Sequence, residues 1–133
     1  MTTEQIIRAY YHAFNAAAWQ DFFALLDDAV EHDINQGERE VGKPAFRRFM
    51  SRMNACYRET ITDLRVMVDE SGGHAAAEFV VAGEYLASDA ELPPARGQRY
   101  QLAGGAFFQL AGGRIRRVTN YYNLREWLRQ ITT

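Results

Sequence analysis

Ionisable side chains are concentrated in Asp27-Asp28-Ala29-Val30-Glu31-His32-Asp33, a stretch of one-strand length that leads through Ile34-Asn35 into the polar run Gln36-Gly37-Glu38-Arg39-Glu40. A buried strand ordinarily carries apolar residues, so these groups either lie at a surface or face a cavity. In an apolar cavity the Asp33 carboxylate would lose hydration and its pKa would rise toward neutrality, as proton transfer to a carboxylate base requires. His32 is the neighbouring candidate. Successive strand residues point to opposite faces, so only one of the two enters a cavity unless a bulge intervenes. The plainer reading of Asp33 is a strand-end carboxylate bonded to the amides of the loop that follows. His12 and His74 lie on a helix and at a turn without a close-spaced partner, so the spacing predicts no metal site. The Gly-Gly pairs have no helix behind them, which excludes a phosphate-binding loop.

The elements that must position these groups follow from pattern. Thr2-Thr3-Glu4-Gln5 reads as a capping box, and Ile6, Tyr10, Ala13, Phe14 and Ala17 then recur at helical spacing. A second short helix runs from Trp19 to about Leu26, with Trp19, Phe22, Phe23 and Leu26 on one face. After the first strand and the loop at 36–40, Gly42-Lys43-Pro44 opens a third helix, with proline where a missing amide hydrogen costs nothing, and Phe46, Phe49, Met50 and Met53 face inward. Alternation marks strands from Thr60 to Asp69, Ala75 to Ala87, Gln98 to Leu110 and Arg114 to Asn123, separated by glycine turns and by the loop around Pro93-Pro94. Leu124, Trp127, Leu128 and Ile131 form a short closing helix.

Composition bounds the classes. The 133 residues fit one domain, 1–133, long enough to bury a core. Fifteen Lys and Arg against seventeen Asp and Glu give a net charge of −2, which argues against a dedicated nucleic-acid or anionic-membrane surface. Cys56 is the only cysteine, so no internal disulfide forms and a cytoplasmic location is expected. The N-terminal residues lack the pattern of a signal peptide, and no apolar run approaches about 18 residues, so neither export nor membrane insertion is expected.

Tyr10-Tyr11-His12-Ala13-Phe14-Asn15, Ala24 to Asp33, Val41 to Phe49 and the final strand pair, in this order along one chain, resemble the ketosteroid isomerase and SnoaL-like polyketide cyclase group of the nuclear-transport-factor-two-like fold. The resemblance implies an α+β cone, with N-terminal helices packed over a curved mixed or antiparallel sheet that encloses a pocket. It places Asp33 at the position of the isomerases' proton-shuttling base and Tyr10 at that of the oxyanion donor. A protonated aspartate is the second donor in ketosteroid isomerase. The corresponding strand here reads Gly104-Gly105-Ala106-Phe107-Phe108, without an acid, and Met50 stands where a supporting tyrosine would be. Efficient steroid isomerisation is therefore not expected.

The same match turns Val118, Asn120 and Tyr122 on the last strand inward. Asn120 could orient a polar substrate group, Tyr122 and Val118 could wall it, and Trp19 and Phe79 could complete an apolar lining. Plain core packing is the alternative for each. Alternation puts Arg114 and Arg116 on the face of Val118 and Arg117 opposite, most simply as a solvated rim. The resulting expectation is a cofactor-independent enzyme, of isomerase, cyclase or dehydratase type, acting on a small apolar or carbonyl-containing ligand. Its rival is a non-catalytic binding or dimerisation module of the same fold. A homodimer through the convex sheet face is expected, with Val80 and Ala82 on that face.

Overall fold

Thr2 caps the first helix as its sequence requires: its hydroxyl accepts from the Gln5 amide at 3.2 Å, and its own amide donates to Gln5 Oε1 at 2.8 Å. In the computed structural model, which describes residues 1–132, the helices are α1 (Thr3–Asn15), α2 (Trp19–Ala24), α3 (Lys43–Cys56) and α4 (Leu124–Thr132). The strands are β1 (Leu26–Asp33), β2 (Arg39–Val41), β3 (Tyr57–Val68), β4 (His74–Tyr85), β5 (Gln98–Ala111) and β6 (Arg114–Tyr122). Replacing Thr2 with alanine removes the hydroxyl that accepts from the Gln5 amide and is expected to cost about 1 kcal/mol, measured by urea unfolding of the two proteins side by side.

The six strands form one open sheet in the order β2-β1-β6-β5-β4-β3. β1 runs parallel to β6, and every other neighbouring pair is antiparallel. This is the expected α+β architecture, with α1, α2 and α3 on one face of a mixed sheet. Register breaks bend it at Leu26/Glu31, at Thr62/Arg65, where Asp63 has a φ of 54°, and at Gln109/Leu110. Such bulges increase local twist and curvature. Phe22, Phe46, Ile7, Leu26, Phe108 and Ile115 are fully buried between the helices and this curved face. A second cluster under α4 joins Tyr57, Tyr85, Tyr100, Leu102, Trp127 and Ile131.

Three sequence expectations shift. The run 36–40, read as a loop, ends in the edge strand β2, whose Glu40 pairs in register with His32 and whose Arg39 pairs with Asp33. α2 stops at Ala24, because Leu26 already belongs to β1. The bulge opposite Gln109 and Leu110 breaks the alternation in β6, so Ile115 and Val118 are both buried while Arg114 and Arg116 are exposed. The two arginines therefore do not share the face of Val118.

Candidate functional site

A chamber of about 640 Å³ opens between the helices and the concave side of the sheet, a size suited to a small-molecule ligand. Trp19, Phe22, Phe46, Phe49, Met50 and Phe79 supply much of its apolar wall. Side chains from α1, α2 and α3 meet strand residues there because each helix turns its apolar stripe toward the sheet.

His32 enters the chamber and Asp33 does not. Val30 and His32 share one parity on β1, and Ile34 follows at the same spacing just past its end. Val30 is sealed in the core, and His32 and Ile34 line the chamber. The His32 ring is 2% exposed, stacked on Phe46 with centroids 4.1 Å apart and edge-on to Phe49 at 4.7 Å. Burial pushes its pKa down to about 4, against a smaller upward pull from the Asp33 charge, so the imidazole is neutral at physiological pH. Its Nδ1 is 3.8 Å from Glu40 Oε1, and both atoms are buried without a hydrogen bond. The contact is longer than a hydrogen bond. Nδ1 is thus the ring nitrogen on the side of the Glu40 carboxylate.

The expectation that Asp33 is a desolvated base is corrected by its partners. Glu31 and Asp33 occupy the opposite face of β1, where Arg39 donates to both Asp33 oxygens, at 2.6 and 3.1 Å, and to Glu31 at 2.9 Å. The Thr119 hydroxyl donates to Asp33 Oδ2 at 2.6 Å, and Arg117 donates to Thr119 at 2.6 Å. These bonds, the Arg39 bond first, hold the carboxyl down at about 2. Asp33 is a structural anion on the outer face.

Tyr10, Asn120, Tyr122, Trp19 and Phe79 all line the chamber. Val118 does not: it is fully buried in the core and forms no part of the lining. The Tyr10 ring packs on Phe22 at 4.5 Å and on Tyr11 at 5.0 Å, and burial raises the pKa of its phenol, which stays protonated. The Tyr11 hydroxyl is buried with no hydrogen-bond partner among the described residues, an available donor that the sequence reading passed over. Glu40 and Glu59 were passed over too: the first in a run read as loop, the second ahead of a strand expected to begin at Thr60. Among the described residues, no three His, Cys, Asp or Glu side chains come together as a metal-binding set. Among the described residues no helix is long and apolar enough to cross a membrane.

The chain matches the model of the SnoaL-like domain over residues 7–118. The chain belongs to the SnoaL-like domain family. Two candidate polyketide cyclases of known structure are similar to it throughout. The one from Pseudomonas putida is 54% identical with a TM-score of 0.97, covering 98% of both chains. The one from Xanthomonas campestris is 48% identical with a TM-score of 0.95, covering 97% of this chain and 96% of that one. A candidate ketosteroid isomerase from Kribbella flavida is 25% identical with a TM-score of 0.67, covering 91% of this chain and 77% of the other. The architecture of this SnoaL-like domain is that of nuclear-transport-factor-two-like proteins. A comparison with functionally curated proteins finds no match.

Proposed function

We propose that this SnoaL-like protein is a cofactor-independent enzyme of isomerase, cyclase or dehydratase type, in which His32 rather than Asp33 takes a proton from carbon next to a carbonyl. The observation that carries the reading is the neutral His32 ring, locked between Phe46 and Phe49 inside the chamber with Nδ1 turned to Glu40. Nε2 accepts the proton, and the imidazolium so formed is stabilised by the Glu40 carboxylate through a contact that can tighten as charge develops. Tyr10, or Tyr11 with its unsatisfied hydroxyl, donates to the developing oxyanion. Asn120 orients a polar group of the substrate, and Trp19, Phe79 and Tyr122 wall its apolar body. The similarity to candidate polyketide cyclases supports a carbonyl-bearing substrate.

One observation favours binding without turnover: an imidazole whose pKa lies near 4 is a weak base. The experiment that separates the two readings is the ring opening of 5-nitrobenzisoxazole. This reaction needs only a base in an apolar site, and it releases a coloured phenolate. Opening that follows His32 supports the enzyme reading, whereas binding of the probe without opening supports the module.

A second copy of the chain is the proposed partner, seated on the outer sheet face. Phe107 and Tyr121 are 49% and 57% exposed there and pack against each other at 5.8 Å; Val80 and Ala82, which alternate with the inward Phe79 and Val81, lie further along the same face. Sizing with light scattering at tens of micromolar is expected to give the mass of two chains, and a Phe107→Glu variant the mass of one.

A further inference from the structure

The chamber is also lined by a carboxyl group, on the strand at the other edge of the sheet from His32. Glu59 lies on β3 and lines the chamber, separated from β1 by β4, β5 and β6. In register across three strands, Glu59 faces Gly83, and Gly83 faces Tyr100. A β-carbon on Gly83 would stand 2.3 Å from Cζ of Tyr100. The glycine thus leaves the space through which the phenol crosses β4, and the Tyr100 hydroxyl donates to Glu59 Oε2 at 2.5 Å. Glu59 Oε1 has no hydrogen bond among the described residues. Burial raises the Glu59 pKa, and the Tyr100 bond opposes the rise. The titratable groups around the pair are phenols, Tyr57 on β3 and Tyr122 on β6, and the adjacent Arg58 is exposed.

We propose that Glu59, held by Tyr100 through the gap at Gly83, is a ligand-binding residue whose carboxyl group donates a hydrogen bond to a carbonyl oxygen of the bound compound. This deepens, and rests on, the reading of the chamber as a small-molecule site. The acid missing from Gly104–Phe108 on β5 is thereby supplied from another strand, and the ligand class is an apolar body bearing a ketone on the side remote from His32.

The test compares 2-acetylnaphthalene with 2-isopropylnaphthalene, which has the same shape without the oxygen. Binding is followed by the fluorescence of Trp19 and Trp127, both of which line the chamber. The ketone is expected to bind the wild-type protein about three- to tenfold more tightly at pH 5. That advantage should fade as pH rises through the Glu59 titration, read from the carboxyl ¹³C resonance that Glu59→Gln removes. Glu59→Gln, whose amide donates at every pH, keeps the advantage and loses its pH dependence; Glu59→Leu loses the advantage. A ketone advantage that persists in the leucine variant, or that keeps its pH dependence in the glutamine variant, overturns the proposal, as does the absence of any advantage in the wild type. Ring opening of 5-nitrobenzisoxazole, a probe without a ketone, and its loss in His32→Gln test the base separately. A failure of the base reading then shows in that assay and a failure of the Glu59 reading in the binding ratio.

Discussion

Replacing His32 with glutamine is expected to slow the opening of 5-nitrobenzisoxazole by about a hundred- to ten-thousandfold, the usual worth of a positioned general base. Asp33→Asn should leave the rate close to that of the wild type. The contrast follows from the faces of β1: His32 lines the apolar chamber, whereas Asp33 is tied to Arg39 and Thr119 on the other side. Glu40→Gln should give an intermediate loss, because the amide oxygen can still meet Nδ1–H but no longer supplies a charge to the imidazolium. The pH profile separates the two bases. With His32 acting, the rate rises through about pH 4 and is level above it, since only the neutral ring accepts a proton. With Asp33 acting, the rate would hold down to about pH 2. Loss of activity in Asp33→Asn with retention in His32→Gln would sink the assignment.

That the sequence left His32 and Asp33 unseparated has a physical origin. Adjacent strand residues must diverge, but which one turns inward depends on a reference position. Val30 and Ile34 offered one, as the apolar residues flanking His32 at a spacing of two. The partners that fix the chemistry were harder to see. Arg39 and Glu40 follow Glu38 in a run of charge that reads as a solvated loop, and only pairing with β1 divides them, Arg39 outward to Asp33 and Glu40 inward to His32. The helices were legible because their stripes and the Thr2 box are local signals. Bulges are not: the break near Leu110 reverses the parity of β6, which is why the arginines there left the face of Val118 while Asn120 and Tyr122 stayed with the chamber. The Glu59–Tyr100 pair spans 41 positions and needs a glycine on a third strand, a relation that no short window contains.

Acidification should weaken the fold first through His32. Its pKa is lowered on folding, from 6.5 to about 4, so between these values the unfolded chain binds the proton and the folded chain does not. Stability is therefore complete above about pH 6.5 and falls as pH drops toward 4, below which both states are protonated and the loss is full. The difference corresponds to about 3 kcal/mol, a sizeable share of the stability of a domain of this length. The charged groups acting on the ring are Glu40 from β2, whose Oε1 lies 3.8 Å from Nδ1, and Asp33, whose charge is felt from the outer face of β1. Asp33 acts in a lower window: its folded pKa is depressed to about 2 by Arg39 and Thr119, so its contribution is present above 3.8 and is lost as pH falls through 2. Urea unfolding at pH 7, 5.5 and 4 should show the wild type losing stability steeply. His32→Gln should start lower, for want of the stacking on Phe46, and lose less over the same range. Asp33→Asn should keep the wild-type slope between pH 6.5 and 4. Parallel curves for the wild type and His32→Gln would mean that the imidazole takes up its proton inside the folded protein at little cost, and the apolar enclosure that makes His32 a neutral base would have to be given up.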